Sequence, residues 1–84
     1  MTLSPGPVGV NMIHRHEIAS QINSLMLEIS NRVNESIRLV QAECSDEEFK
    51  AYRRAAGYIL GYAYTDVLVP LYEHHPDLKP EGMP

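Results

Sequence analysis

The junction between two helical segments constrains this chain most strongly. The run Ser45-Asp46-Glu47-Glu48 has the pattern of a capping box. In this motif the Ser45 hydroxyl accepts from the Glu48 amide, and the Glu48 carboxylate accepts from the Ser45 amide. Three acidic residues in a first turn also suit the positive end of a helix dipole. We therefore predict that a helix begins at about residue 46, with Ser45 and Glu48 as its capping residues.

The segment before this junction has the periodicity of an amphipathic helix. No proline or glycine occurs from Asn11 to Cys44, and apolar residues recur there at steps of three and four. They are Ile18, Ile22, Leu25, Ile29, Val33, Ile37 and Val40. We predict a first helix over about 12–43, with Asn11 as its N-cap. Met12 is an alternative translation start.

The segment after the junction repeats the pattern, with apolar residues at Phe49, Tyr52, Ala56, Ile59, Ala63 and Val67. We predict a second helix over about 46–69. Pro70 lacks an amide proton and its ring clashes with the carbonyl four residues earlier, so the helix either ends there or kinks and continues to 74. Prolines and glycines predict a flexible leader over 1–10 and an extended tail over 76–84, which leaves 11–75 as the helical domain.

The short junction predicts the arrangement of the two helices. A connection with almost no loop places consecutive helices side by side and antiparallel, so we expect an all-α, two-helix hairpin. Such a hairpin has one internal seam, and a chain of 84 residues is marginal as a lone domain. Between Ala55 and Leu71 the only charged residue is Asp66, so the second helix is apolar nearly all round. We therefore expect two hairpins to pair as a homodimeric four-helix bundle.

The second helix carries the residues that we expect to pack within the hairpin and across the dimer. They are Ala56, Gly57, Ile59, Leu60, Gly61, Tyr62, Ala63 and Val67. Gly57 and Gly61 have the G-x-x-x-G spacing that permits close helix approach. A glycine inside a helix costs about 1 kcal/mol relative to alanine, so two of them indicate a steric reason. Close helix packing is one such reason, and room for a ligand or a partner helix is the other.

The four histidines are candidate metal ligands. An antiparallel hairpin brings His14 and His16 to the same end as His74 and His75. Extending the two apolar stripes, we expect His14 and His74 to face each other, with Glu17 one turn away. Imidazole and carboxylate together can bind a divalent transition metal. The alternative is that ordinary histidines decorate two helix ends. No established metal or cofactor motif is present, so we predict no bound cofactor.

Asp66 is the other residue that the pattern singles out, as a candidate buried polar group. A carboxylate on an apolar helix is costly unless it is hydrogen-bonded or paired. Asp66 could act as a general acid or base. Alternatively, it could pair with a tyrosine hydroxyl, with Asn23, or with an arginine across the dimer.

Composition limits the remaining function classes. The net charge of −4, from 7 Lys+Arg and 11 Asp+Glu, argues against nucleic-acid binding. A lone cysteine, Cys44, excludes an intramolecular disulfide. No stretch has the length and apolar character of a membrane span, so we predict a soluble, cytoplasmic protein.

No catalytic constellation is recognisable in the sequence. The first hypothesis is thus a non-catalytic protein-interaction or accessory module that binds itself and another protein. The second is a metal- or small-ligand-binding protein that uses the His14/His74 end. The third, disfavoured by charge, is a nucleic-acid regulator of the two-helix dimer type.

Overall fold

A computed structural model describes residues 13–82, and all of the regular secondary structure in that range is helical. The predicted all-α class is therefore confirmed. The elements are α1 (His16–Glu43), α2 (Asp46–Tyr62), a π-helical segment (Ala63–Leu68), α3 (Val69–His74) and a 3-10 turn (Pro76–Leu78). The last four elements follow one another with almost no interruption. The chain therefore forms two long arms that meet at Cys44 and Ser45.

The junction between the arms contains the capping box. The Ser45 hydroxyl oxygen accepts from the Glu48 amide at 3.1 Å, and Glu48 Oε1 accepts from the Ser45 amide at 3.0 Å. The hydrogen bond from the Ser45 amide is the main reason that the pKa of Glu48 is lowered from its ordinary value. The bond with the Ser45 side chain adds to the shift. The capping box satisfies the first amides of α2 locally, and the chain reverses within two residues.

Contacts between the arms show that they run antiparallel. Near the junction, Ser36 Oγ lies 2.7 Å from the Tyr52 hydroxyl. At the far end, His16 Nε2 lies 2.6 Å from Asp77 Oδ2. The sequence separation between contacting residues therefore grows steadily with distance from the junction, as in a hairpin.

The second arm passes Pro70 by widening its helix. The Val69 amide donates to the Tyr64 carbonyl, five residues back, which is the π-helical pattern. Pro70 then occupies the first turn of α3, where its missing amide proton costs little. Of the two outcomes expected at this proline, the structure has the continued helix, which ends at His74.

Both ends of the chain differ from the sequence expectation. Helix α1 begins at His16, after an extended Arg15, whereas the predicted start was near residue 12. The proposed N-cap Asn11, the alternative start Met12 and the leader over 1–10 lie outside the described residues. The tail is not wholly extended, because residues 76–78 form a 3-10 turn. That turn is held against α1, with Asn23 Nδ2 donating to the Leu78 carbonyl at 3.4 Å.

The buried side chains concentrate away from the junction. We call residues 13–27 with 63–79 the open end, and residues 28–62 the turn end. The hydrophobic core lies at the open end, and its buried members are Ala19, Leu68, Leu71 and Tyr72. In the turn end only Ala56 is buried, at 1% exposure. The side chains of the apolar stripe of α1 beyond residue 28 are therefore only half-buried.

None of the helices in the described part of the chain combines the length and the apolar character that crossing a membrane requires.

Candidate functional site

The four histidines cluster at the open end, where the two arms finish side by side. The rings of His14 and His74 lie 5.1 Å apart between centroids, and those of His16 and His75 lie 5.4 Å apart. The rings of His74 and His75 are 6.4 Å apart. The hairpin therefore brings both histidine pairs together, and the expected neighbours His14 and His74 are in ring contact.

Glu17 does not join the His14/His74 pair that it was expected to complete. Its carboxylate pairs with Arg15 at 2.8 Å, and both side chains are 70% exposed. Among residues 13–82 no group of three candidate metal ligands includes Glu17. The cause lies in the start of α1. Because the helix begins at His16, His14 stands outside it, and the helical spacing that would place His14 one turn from Glu17 does not apply.

A different trio has the geometry of a ligand set. One ligand atom from each of His16, His75 and Asp77 lies within 4.8 Å of the others. The hydrogen bond to His16 is the main reason that the pKa of Asp77 is lowered from its ordinary value. His75 is buried at 8% exposure, and its Nε2 lies 2.8 Å from the Ile13 carbonyl.

Sequence reasoning missed this trio for two identifiable reasons. His16 falls about 200° around a helix from His14, so helix periodicity placed it away from the partner arm. Asp77 was expected in the same neighbourhood as the histidines, but it follows Pro76 in a tail predicted to be extended and was not chosen as a ligand. The available signal was the spacing of His75 and Asp77 around Pro76, since a proline can open a short helical turn that brings its neighbours to one side.

A buried polar pair underlies the histidine cluster. The Tyr72 hydroxyl donates to Asn23 Oδ1 at 2.5 Å, and the Asn23 amide reaches the Leu78 carbonyl. Burial raises the pKa of Tyr72, and the nearby Tyr64 adds to the shift. Among the described residues, no buried side-chain nitrogen or oxygen lacks a hydrogen-bond partner. The pair therefore fixes the position of the tail relative to α1.

Asp66 is exposed in this chain, which corrects the expectation that it is a buried polar group. The Thr65 hydroxyl lies 2.9 Å from Asp66 Oδ1 and 2.8 Å from the Gly61 carbonyl, so it can donate to either. Asn23, one of the partners considered, is bonded to Tyr72 instead. Asp66 and Ala63 lie in the same π-helical segment, but Asp66 is exposed and Ala63 is buried, so the two residues lie on different sides of the arm.

The second surface feature lies on the outer side of α2. We call it the tyrosine face, and its residues are Gly57, Tyr58, Gly61, Tyr62 and Thr65, which line one shallow depression. The side chains of Tyr58 and Tyr62 are 60% and 66% exposed. A Cβ atom added at Gly57 or Gly61 would meet nothing within 4 Å. The two glycines therefore serve no close packing within the part of the chain that the structure describes.

The residues predicted to pack on the second arm divide into two groups. Ala56 and Ala63 are buried, and Leu60 and Val67 are half-buried. The exposed members are Gly57, Ile59, Gly61 and Tyr62. The first group is therefore covered within the described chain, and the second group is left for other contacts.

Comparison with protein-family models, with curated proteins and with solved structures finds no match to this chain. Its two surface features, the histidine cluster and the tyrosine face, are therefore the basis for inferring function.

Proposed function

We propose that this chain is a non-catalytic interaction module that works as a homodimer. The tyrosine face of α2 packs against the same face of a second copy, and the two hairpins complete a four-helix bundle. The observation that carries this proposal is an exposed, apolar helix face whose two glycines point into open space.

The composition of the face supports an interface. Tyrosine is enriched at protein contacts because it supplies a large apolar area with a polar tip, whereas charged residues are depleted from interface cores. Tyr58 and Tyr62 are both more than half exposed. From Ala55 to Leu71 the only charged residue is Asp66. Contiguous apolar surface of this kind is uncommon on soluble monomers and marks interaction sites.

The glycines favour a helix as the occupant. Each interior glycine costs about 1 kcal/mol of helix stability relative to alanine. No contact among residues 13–82 explains that cost at Gly57 or Gly61. The four-residue spacing leaves a strip without side chains, into which a second helix backbone can approach closely. The cost is then offset by contacts formed only on association.

A second copy of the chain is the partner that fits best. The face is self-complementary in character, since each copy offers both a strip of glycines and flanking tyrosines, and a two-fold axis pairs identical patches. The turn end has one buried residue, Ala56, among residues 28–62. Two further helices from another hairpin would cover that half of the seam as well. The assembled bundle then presents its outer surface to another protein, as an accessory subunit does.

Sedimentation equilibrium tests the dimer. We expect about 19 kDa at micromolar concentration, twice the chain mass of 9.5 kDa. Gly61→Leu should shift the mass toward that of one chain, because the added side chain fills the strip. It should leave the helical circular dichroism unchanged, because that position is open in the single chain. Ala42→Leu is the matched control, since Ala42 is exposed near the junction, and it should leave the dimer intact.

Two outcomes would contradict this proposal. One is a wild-type mass of a single chain at tens of micromolar. The other is a Gly61→Leu variant that dimerises as tightly as the wild type, which would place any dimer contact elsewhere. The wider accessory role is tested by pull-down from the native lysate with the wild type and Gly61→Leu, and recovery of nothing but this chain would count against it.

A further inference from the structure

We infer that His16, His75 and Asp77 form a binding site for one Zn²⁺ ion at the open end. These residues differ from the His14, His74 and Glu17 set that the sequence suggested. The site lies at the opposite end of the hairpin from the junction and shares no residue with the tyrosine face, so it does not rest on the dimer.

The donor set and its spacing suit zinc. Two imidazole nitrogens and one carboxylate oxygen are ligands that Zn²⁺ uses commonly, with a fourth position left for water. Metal–ligand bonds of about 2.0–2.2 Å put tetrahedral ligand atoms about 3.4 Å apart. The three ligand atoms here already lie within 4.8 Å of one another. The side chains of His16 and Asp77 are exposed. A movement of about 1 Å in these side chains would complete the tetrahedral arrangement of the ligand atoms.

His75 is oriented in advance. Its ring is buried, and Nε2 lies 2.8 Å from the Ile13 carbonyl oxygen, which can only accept. With Nε2 donating to this carbonyl, Nδ1 would be the nitrogen with a lone pair for a metal. A backbone carbonyl that fixes the tautomer of a ligating histidine is a recurrent feature of metal sites.

The His16–Asp77 contact supplies the other two ligands. Their side chains meet at 2.6 Å across the gap between the arms, and both are more than half exposed. Zn²⁺ would lie between these two side chains in place of their hydrogen bond, bound by a ring nitrogen of neutral His16 and by the Asp77 carboxylate. Because His16 opens α1 and the other two ligands follow α3, the ion would join the two arms where the hairpin has no covalent connection.

Calorimetric titration of the untagged full chain with ZnCl₂ tests the site. We expect one ion per chain. His16→Ala and Asp77→Asn should each weaken binding by about 100-fold or more, since even outer-shell changes cost 10–100-fold. His14→Ala and Glu17→Gln are the matched controls, because they alter the same end of the chain without touching the trio, and they should bind as the wild type does. Substitution of His75 is avoided because its ring is buried against Ile13.

A second readout separates binding from damage to the fold. Cobalt titration should give the visible absorption of a four-coordinate site in the wild type, and circular dichroism should show His16→Ala and Asp77→Asn equally helical. No heat above the buffer level would overturn the inference. So would zinc affinity lost in His14→Ala or Glu17→Gln but kept in His16→Ala. Gly61→Leu should still bind one ion per chain, which keeps this result distinguishable from the fate of the dimer.

Discussion

The open end and the turn end are built from the same two arms but differ in how much they bury. At the open end Ala19 and Leu71 are fully buried, and Tyr72 is 7% exposed. At the turn end Leu39, Tyr58 and Ile59 remain 53–62% exposed. Apolar residues recur at helical spacing in both. The difference is the tail, because the 3-10 turn brings Leu78 against the core at the open end, where Asn23 of α1 bonds to its carbonyl.

This contrast explains how the chain divides its tasks. Two helices enclose one line of contact, and a third side is needed before side chains become fully buried. The open end obtains that side from its own tail, held by Asn23, Tyr72 and Leu78. The turn end has no such element within the described chain, which is why we propose a second copy there.

The largest expected effect contrasts two leucines. Leu71→Ala at the open end should lower the free energy of unfolding by about 2–5 kcal/mol, because a fully buried side chain leaves a cavity. Leu39→Ala at the turn end should change it by about 0.5 kcal/mol or less, because Leu39 is 62% exposed. Urea denaturation at a fixed chain concentration measures both. Equal losses would mean that the two ends are equally packed.

A second pair compares hydrogen-bonded tyrosines. Tyr72→Phe should lower the free energy of unfolding by about 1–2 kcal/mol, since it leaves the buried Asn23 oxygen without its donor. Tyr52→Phe removes an exposed bond to Ser36, and water can replace it, so the cost should stay below about 0.5 kcal/mol. Thermal denaturation followed by circular dichroism distinguishes them. A larger loss of stability for Tyr52→Phe than for Tyr72→Phe would mean that the turn end contributes more to stability than the open end.

The capping box at the junction should contribute a moderate amount to the free energy of unfolding. Ser45→Ala removes both the hydroxyl acceptor and the geometry of the capping box, and we expect a loss of about 1 kcal/mol. Ser45→Thr keeps a hydroxyl and is the control, with a loss of a few tenths of a kcal/mol. Urea denaturation measures the two. If both variants matched the wild type, the turn would be held by packing rather than by its cap.

The smallest expected effect is a pH dependence at the junction. The bonds from Ser45 lower the pKa of Glu48 in the folded chain. A carboxyl whose pKa is lowered by folding adds stability above its ordinary pKa and loses it as the pH falls through the lowered value. Titration by NMR should show a lowered pKa of Glu48 in the wild type and a partial rise in Ser45→Ala, which loses the side-chain bond but keeps the backbone amide. An ordinary pKa for Glu48 in the wild type would mean that the cap bonds are not formed in solution.

Local signals predicted the parts of the fold that depend on neighbouring residues. The capping box and the helical spacing of the stripes are short-range features, and they gave the junction and both arms. The meeting of His14 with His74 followed from the antiparallel arrangement. These features need no knowledge of how distant side chains pack.

The remaining features depend on contacts that a linear pattern does not contain. The π-helical segment before Pro70 and the turn at Pro76 let the second arm reach α1, and nothing in the periodicity predicted either. The exposure of Asp66 and the trio of His16, His75 and Asp77 follow from these irregular segments. Sequence reasoning therefore brought the histidine pairs together at one end of the hairpin, but it did not single out the trio of His16, His75 and Asp77.

Amide hydrogen exchange at two chain concentrations tests whether the open end is complete within one chain while the turn end is completed by a second copy. We expect amides of the tyrosine face, over residues 57–62, to become more protected as the chain concentration rises through the range in which the dimer forms. Protection of α3 should change much less, because the core around Leu71 is complete within one chain. Protection that is independent of concentration in both segments would contradict the claim that a second copy completes the turn end.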